Sequence, residues 1–324
     1  MRAMSNDAAT AAVDATPRGQ CERYSDETYA KMRDDEARTA AYDRAIALHS
    51  KGRTVLDIGT GALALLALSA ARAGASHVYA VEANAAAAAA ARDAISAAGF
   101  ADKITLLEGY STDVALPERV DLLVHEIIGE VAGAEGVGRA IADAAARHLR
   151  AGAAADGGVV SVPARARTLI APAEFPDEAY FASLPHPMLA APGATALKLP
   201  GLPMATRLAA PQPCEDLRFD AAAPALRQEA TLTFVAERAG ELRGLALHNE
   251  VFVADGELAA PEISSADPGS HWPHVLLMLK ETAQLAAGDA LTVRYAIDLA
   301  GEQPRYEFDV LRGDEALGTL RYPD

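Results

Sequence analysis

The sequence has few of the residues on which several classes of protein depend. Its two cysteines, Cys21 and Cys214, lie far apart, so neither a disulfide framework nor a cysteine zinc site is indicated, and a reducing compartment is expected. Aromatic residues make up only 5% of the chain, with a single tryptophan. No apolar run is long enough for a membrane span, and the N-terminus lacks the apolar segment of a signal peptide. The sequence therefore predicts a soluble, cytoplasmic protein.

Positive charge is also scarce. The chain has 45 acidic and 29 basic residues, which give a formal net charge of −16. This charge would repel a nucleic-acid backbone or an anionic membrane surface, and it would attract a cationic ligand. We therefore expect no nucleic-acid partner and no membrane partner, although a need for solubility explains the charge equally well.

The order of patterns along the 324 residues predicts two domains. Residues 1–22 have no periodicity and are predicted to be a disordered lead. Residues 23–157 alternate short apolar strands with helical segments, which is typical of a doubly wound, Rossmann-like α/β domain. Residues 158–324 are richer in proline and in strand-like alternation, so we expect a β-barrel or sandwich. Within this part, residues from about 175 to 213 have no clear period and are interpreted as a functional segment or an interaction arm.

The stretch "VLDIGTGALAL" indicates a nucleoside-binding loop. Gly59, Gly61 and Ala64 form a G-x-G-x-x-A pattern between a predicted strand and a predicted helix, and Glu82 ends the next strand. Glycines allow a ligand to approach the backbone closely, and an acid at the second strand end accepts hydrogen bonds from ribose hydroxyls. NAD and S-adenosylmethionine both satisfy this pattern. Asp57 would repel a pyrophosphate and attract an ammonium group, which favours S-adenosylmethionine.

Five stretches, read together, resemble the successive motifs of the protein arginine methyltransferases. They are "ETYAKMRDDEARTAAYDRAI", "VLDIGTG", "VYAVEAN", "LPERVDLLVHEIIGEVAGAE" and "SHW", and their order and spacing extend the resemblance from Tyr24 to Asp324. The resemblance implies a doubly wound class I methyltransferase domain, followed by a C-terminal β-barrel domain with an inserted dimerisation arm. It also implies the cofactor S-adenosylmethionine, an arginine substrate and a homodimer.

The resemblance assigns roles to individual residues. Glu126 and Glu135 match the paired glutamates that hold the guanidinium, and His271 and Trp272 match the barrel loop that closes the site. His271 is expected to share catalysis with the glutamates, as a route for the substrate proton. Tyr29 is expected beside the substrate. The expected cofactor-binding residues are Met32, Arg38, Asp57, Gly59, Gly61, Glu82 and Thr112.

The sequence also departs from the family pattern. Ala62 and Leu63 occupy the region of the third loop glycine, and His125 precedes the first glutamate in place of the usual serine. An aromatic pair expected before the first helix is missing. Glu130 replaces a common tyrosine, and it would provide a counter-charge for an α-ammonium group. We therefore predict a substrate-binding role for Glu130 and a slight preference for free arginine, or a small derivative, over arginine in a polypeptide.

Two glutamates suit an arginine substrate for an electrostatic reason. A guanidinium with a pKa of about 12.5 to 13.8 is costly to deprotonate, and at about 4 Å it repels a sulfonium by about 4 kcal/mol at an effective dielectric of 20. Two carboxylates offset that repulsion and orient the planar cation. The alternatives are a methyltransferase for another small-molecule nucleophile and a catalytically inactive cofactor-binding scaffold. No metal is expected, because His271 and His274 have no further ligands at suitable spacing.

Overall fold

The computed structural model describes residues 26–153, 159–184, 194–220 and 224–323, with side chains from Tyr29 onward. The predicted lead over residues 1–22 lies outside the described residues, as does Cys21. Cys214 is a buried, free thiol. Among the described helices, none is both long and apolar enough to cross a membrane.

The first half of the chain forms a parallel sheet covered by helices. The helices are α1 (Asp26–Asp34), α2 (Glu36–His49), α3 (Leu65–Arg72), α4 (Ala85–Ala97) and α5 (Val137–Arg147). The strands are β1 (Thr54–Ile58), β2 (His77–Glu82), β3 (Ile104–Glu108), β4 (Leu122–His125) and β5 (Ser161–Val162). Their order in the sheet is β3-β2-β1-β4-β5, which is a doubly wound arrangement.

The strand order places the functional loops at one edge of this sheet. All five residues of β1 are buried, as expected for a central strand with helices on both faces. β1 lies between β2 and β4, and the direction of winding reverses between β1 and β4. Ile58 is in register with Val81 on one side and His125 on the other. Gly59, Glu82 and Glu126 therefore leave three adjacent strands at the same level, where open α/β sheets bind ligands.

Helix caps fix where two of the elements beside this edge begin. The Asp35 side chain accepts a hydrogen bond from the Arg38 backbone N–H, which starts α2. The Asn84 side chain accepts from the N–H groups of Ala86 and Ala87, which starts α4 directly after Glu82. These caps satisfy N–H groups that have no partner within the helix.

The second half of the chain is built of antiparallel strands. They are β6 (Arg165–Ala173), β7 (Ala196–Leu199), β8 (Gln212–Arg218), β9 (Arg227–Val235), β10 (Gly240–Phe252), β11 (Ile263–Ser264), β12 (His274–Leu285), β13 (Ala290–Asp298), β14 (Arg305–Arg312) and β15 (Glu315–Tyr322). One sheet has the order β7-β12-β10-β6-β8, with β11 beside β10, and the other has the order β15-β14-β13-β9. Because β12 contacts β15 and β8 contacts β9, the two sheets close on each other as a barrel.

The described architecture confirms the predicted fold class. β5, which pairs with β4 through Ser161 and Val162, completes the parallel sheet shortly after residue 157, where the sequence predicts the boundary between the domains. Glycines and charged residues interrupt the apolar pattern of the longest described strand, β10, and its burial comes from neighbouring strands on both sides.

The region predicted as an arm, residues 175–213, contains regular structure where it is described. It holds α6 (Glu178–Ser183), β7 and a 3₁₀ turn (Met204–Thr206). Tyr180, Leu199 and Leu202 form a small apolar cluster with residues of β10 and β12. The segment therefore packs on the outer face of the barrel sheet, while Phe175 and Met204 remain 45% and 55% exposed.

Candidate active site

The glycine loop after β1 is shaped by close packing. Gly59 has φ +73°, and a Cβ there would lie 2.7 Å from Cγ2 of Ile127. Gly61 has φ +66°, and a Cβ there would lie 2.9 Å from the ring of Tyr29 in α1. Both positions need glycine, because the backbone is left-handed and no side chain fits. Tyr29 thus covers the loop from the N-terminal helix.

Glu82 joins the glycine loop to the end of β2. Its two carboxylate oxygens accept hydrogen bonds from the Gly61 N–H and the Asn84 N–H, both at 2.8 Å. The residue is 5% exposed. Burial raises the pKa of Glu82, although these amide donors oppose the shift. The carboxylate is therefore held in one orientation and keeps free lone pairs for further donors.

Asp57 lies beneath the glycine loop and is fully buried. Its Oδ2 accepts a hydrogen bond of 2.6 Å from the Thr60 hydroxyl, whereas its Oδ1 has no hydrogen-bond partner among the residues the structure describes. Burial raises the pKa of Asp57 to about 7, against the opposing effect of Thr60. A buried oxygen without a partner directly under a ligand loop is a feature that a bound cation or donor group would satisfy.

The loop between β4 and α5 carries the two predicted glutamates, and we call residues 126–135 the glutamate loop. Glu126 forms a buried ion pair with Arg38 of α2, in which Arg38 Nε lies 3.1 Å from Oε2. Arg38 Nη1 also donates to the Met32 carbonyl at 3.2 Å. Burial disfavours the charged guanidinium, but Glu126 outweighs this and the pKa of Arg38 is raised. The pair anchors Glu126 at the edge of the site.

A cleft opens at the carboxyl edge of the parallel sheet. Gly59, Glu82 and Glu135 line it, together with Thr112 from the loop after β3. Glu126 is not among its lining residues, because its carboxylate is turned to Arg38. Glu82 and Glu135, together with Glu302, give the cleft three carboxylates against one cation, Arg139, which favours a cationic ligand.

The loop before β12 brings the barrel against α2 and the glutamate loop. His271 Nδ1 lies 2.9 Å from Oδ2 of Asp35, and the His271 N–H donates to the same oxygen at 3.1 Å. Burial alone would raise the pKa of Asp35, but the hydrogen bonds from His271 and Arg38 outweigh it and the pKa is lowered. Trp272 Nε1 donates to the Ile128 carbonyl at 2.8 Å. The predicted barrel pair therefore contacts both the cap of α2 and the glutamate loop.

Comparisons of the sequence with known proteins match less than half of it. A family model described as ribosomal protein L11 methyltransferase (PrmA) matches residues 40–154. A probable protein arginine N-methyltransferase 6 of Arabidopsis thaliana is 34% identical over 150 residues, which are 45% of this chain and 33% of that protein. Protein arginine N-methyltransferase PRMT10 of Oryza sativa subsp. japonica is 38% identical over 141 residues, or 43% of this chain and 35% of that protein. The chain thus matches about a third of the length of these relatives.

Solved structures match both halves. The Trypanosoma brucei PRMT1 enzyme-prozyme heterotetrameric complex with AdoHcy has a TM-score of 0.71 at 21% identity, covering 90% of this chain and 96% of that chain. Arabidopsis thaliana protein arginine methyltransferase 10, in an open conformation, has a TM-score of 0.73 at 20% identity, covering 94% and 99%. The resemblance to the protein arginine methyltransferase family is confirmed. Sequence supports it over 45% and 43% of the chain, and the solved structures show that the fold is shared over 90% and 94% of the chain.

The structure brings most of the residues expected from the protein arginine methyltransferase motifs to one place. Some follow the carboxyl ends of neighbouring strands in the parallel sheet, and the others come from α1, α2 and the loop before β12. Met32 is half-buried, and the contact that the structure gives it toward this site is its carbonyl, which accepts from Arg38. The role of its side chain stays a prediction.

Glu130 occupies a different environment from the one expected. Its carboxylate pairs with Lys198 of β7 and accepts a hydrogen bond from the Tyr322 hydroxyl. Burial would raise the pKa of Glu130, but Lys198 and Tyr322 outweigh it and the pKa is lowered. Glu130 is absent from the cleft wall. The structure thus removes the reason for assigning it to a substrate ammonium group, because its charge is already balanced within the chain.

Sequence reasoning missed several residues of the site. Tyr110 lines the cleft just after β3, and its place at a third strand end was a usable signal. Arg139 of α5 and Glu302 of the loop before β14 also line it, but they are remote in sequence and carry no local pattern. The partner of His271, Asp35, was likewise missed, because the two residues are remote in sequence.

Proposed function

We propose that this protein is an S-adenosylmethionine-dependent N-methyltransferase that acts on the guanidinium of arginine. The observation that carries the proposal is the placement of Glu82 and Glu135 on one cleft beside the glycine loop, with Glu126 held next to it by Arg38. The names of the relatives, which match 45% and 43% of the chain, point to the same chemistry.

The residues at the cleft fit S-adenosylmethionine. Glu82 offers a fixed carboxylate for ribose hydroxyls, and Gly59 is exposed on the cleft, where it leaves the loop backbone open to a ligand. The expected role of Asp57, which is fully buried under the loop, stays a prediction. Arg38 donates through Nε and Nη2 to Glu126, so its expected contact with the cofactor carboxylate stays a prediction as well. The solved Trypanosoma brucei complex contains the related product AdoHcy. When bound, the cofactor supplies a methyl group on a positively charged sulfur.

Charge and orientation explain the glutamate pair. A guanidinium brought to about 4 Å from a sulfonium is repelled by about 4 kcal/mol at an effective dielectric of 20. Glu135 offsets this repulsion on the cleft itself, and Glu126, whose Oε2 is held by Arg38, can accept through its other oxygen. The two glutamates can thus accept from different edges of the planar fork. The substrate is then held with one terminal nitrogen directed at the methyl group. Arg38 positions Glu126 for this task through its Nε and Nη2.

The proton released by the substrate nitrogen needs an acceptor. We assign this role to one of the two glutamates, with transfer onward through His271 or water. The His271 ring is oriented by the Asp35 carboxylate at 2.9 Å. No covalent intermediate with the protein is required.

For the substrate we propose arginine within a polypeptide rather than free arginine. Glu130, which motivated the preference for free arginine, is engaged by Lys198 and Tyr322. The relatives are named as protein arginine methyltransferases. The high negative charge of the chain, −16, suits a basic peptide segment.

Mass spectrometry tests the function directly. Free arginine and an Arg-Gly-rich peptide are incubated separately with S-adenosylmethionine, and a gain of about 14 daltons, one added methyl group with loss of a proton, is expected on the peptide. Glu126→Gln and Glu135→Gln should each lower turnover by roughly 10² or more. Glu281→Gln, at an exposed position on the barrel strand β12, is the matched control and should retain activity. A gain on free arginine alone would contradict the substrate assignment.

The two other functions predict different results in the same assay. If the substrate is a small molecule with a neutral nucleophile, Glu126→Gln and Glu135→Gln should retain nearly full activity on it. If the protein is an inactive scaffold, calorimetry should detect cofactor binding while no cationic substrate gains mass.

We also propose a homodimer formed through the segment 175–213. Phe175 and Met204 are large apolar side chains that remain exposed on it, which is typical of an association surface. Light scattering at several concentrations should report a dimer, and Phe175→Ser combined with Met204→Ser should shift it to a monomer. A wild-type monomer would contradict this proposal without affecting the assignment of the reaction.

A further inference from the structure

The backbone of the glutamate loop is held by side chains of the barrel. Between Glu126 and Glu135, two carbonyls and two N–H groups of the loop bond to barrel residues that are remote in sequence. The pairs are Trp272 Nε1 to the Ile128 carbonyl at 2.8 Å, Asn249 Nδ2 to the Gly129 carbonyl at 2.7 Å, the Ala132 N–H to Thr168 Oγ1 at 2.9 Å, and the Gly133 N–H to Glu215 Oε2 at 3.3 Å. The loop has no helix or strand of its own here, so its shape depends on these contacts.

Glu215 of β8 is the centre of this network. Its carboxylate is buried and accepts hydrogen bonds from Thr168 Oγ1 at 2.5 Å, from the Tyr306 hydroxyl at 2.9 Å and from the Gly133 N–H. Since the Thr168 hydroxyl gives its proton to Glu215, its oxygen is left to accept from the Ala132 N–H. Removing the Glu215 charge would therefore disturb two loop contacts at once.

The packing at Gly133 leaves no room for a side chain. A Cβ at this position would lie 2.4 Å from Oε1 of Glu215 and 2.7 Å from the Tyr306 hydroxyl. The loop backbone thus rests directly on the carboxylate and the phenol. Because these groups belong to β8 and β14 of the barrel, the position of the loop depends on the position of the barrel strands.

The charge of Glu215 is balanced by dipoles alone. Among the described residues, no lysine or arginine forms an ion pair with it. Burial raises the pKa of Glu215, and its three donors oppose that shift. A buried carboxylate without a cation is costly, and its hydrogen bonds to ionised oxygen are the strong kind. The network therefore resists deformation while all of its donors are present.

We infer that Glu215, together with Thr168 and Tyr306, is a positioning residue that sets the separation of Glu126 and Glu135. This inference rests on the proposed function, in which those two glutamates hold the substrate cation. Loss of the network displaces the glutamate loop and therefore misaligns the substrate guanidinium. None of the hydrogen bonds of Glu215 involves Glu82 or the glycine loop, so turnover falls while cofactor affinity is retained.

Tyr306→Phe and Tyr180→Phe form a matched pair that tests the inference. Each removes one phenolic hydrogen bond, to Glu215 at 2.9 Å and to the Pro200 carbonyl at 2.8 Å respectively, but only Tyr306 belongs to the network. For Tyr306→Phe we expect kcat on an arginine peptide to fall by about 10- to 100-fold, the scale of a misplacement of up to about 1 Å. The dissociation constant of S-adenosylhomocysteine should be unchanged. Tyr180→Phe should leave kcat unchanged at a similar melting temperature.

Hydrogen–deuterium exchange provides a measurement that is independent of activity. The peptide covering residues 126–136 should exchange faster in Tyr306→Phe and in Glu215→Gln than in wild type, and Tyr180→Phe should not change it. If neither variant speeds exchange there beyond the control, or if kcat falls equally in both tyrosine variants, the inference is overturned. If wild type methylates no arginine substrate, the proposed function fails, and the exchange comparison still decides whether the network positions the loop.

Discussion

Replacing Glu82 by glutamine exchanges one carboxylate oxygen for an amide nitrogen and thereby tests the cofactor site. One carboxylate oxygen accepts from Gly61 and the other from Asn84, both at 2.8 Å. Glutamine can keep only one of these bonds, because its amide nitrogen then faces a backbone donor. A hydrogen bond to a charged group contributes about 1.5 to 3 kcal/mol. Glutamine also lacks the charge that strengthens a hydrogen bond from a ribose hydroxyl. A loss of this size at the ribose should weaken cofactor binding by roughly 10- to 100-fold, at about 1.4 kcal/mol per factor of ten.

Isothermal titration calorimetry with S-adenosylhomocysteine measures this loss. Glu108→Gln is the matched control, since Glu108 ends the neighbouring strand in register with Glu82 but is exposed and away from the cleft. The control should bind as wild type does. Melting temperatures of both variants show whether either is unfolded. If Glu82→Gln binds as tightly as Glu108→Gln, Glu82 does not hold the ribose and the site assignment is wrong.

Three further predictions address the loop, the buried acid and the ion pair. Gly59→Ala should lower the melting temperature and cofactor affinity more than Gly99→Ala does. Both positions have positive φ, +73° and +77°, and the left-handed backbone alone costs about 1 to 2 kcal/mol at each, but only a Cβ at Gly59 meets a neighbour. Equal losses in the two variants would refute the packing argument. Burial raises the pKa of Asp57 from 3.8 to about 7, so this acid binds its proton more tightly when folded, and its contribution to the free energy of unfolding falls as pH rises through that window and stays low above it. Urea titrations of Asp57→Asn should therefore show a weaker decline across the window than wild type, whereas parallel curves would contradict the shift. Arg38→Lys loses the planar fork that contacts Glu126 and should lower turnover on the order of 10²-fold. Arg165→Lys disrupts a similar ion pair in the barrel and should not lower turnover. Equal turnover in both variants would contradict the positioning role of Arg38.

The functional residues differ in how well the local sequence pattern predicts their place in the site. Gly59, Gly61 and Glu82 follow apolar runs that form β1 and β2, and the carboxyl ends of adjacent parallel strands meet at one edge. Their convergence follows from periodicity and spacing. Glu126 and Glu135 were assigned through the resemblance, and the structure adds that Glu126 is turned to Arg38 while Glu135 lines the cleft.

Glu130 shows the limit of the same reasoning. Its position in the glutamate loop predicted a free carboxylate near the substrate. In the structure, Lys198 and Tyr322 reach it from β7 and β15, and these residues lie far along the chain. An ion pair between remote segments depends on how the sheets close, and no pattern around residue 130 contains that information.

By itself, the sequence determined the alternation of strands and helices, the glycine loop and the acid that follows it, because burial periodicity and backbone conformation are local properties. Only the tertiary structure decided which charges remain available to a ligand. Packing of the barrel against the parallel-sheet domain joined His271 to Asp35 and supported the glutamate loop from Glu215. It also placed Arg139 and Glu302 on the cleft. Such contacts are set by the three-dimensional arrangement of remote segments, since a carboxylate acts on whichever partner lies within a few ångströms of it.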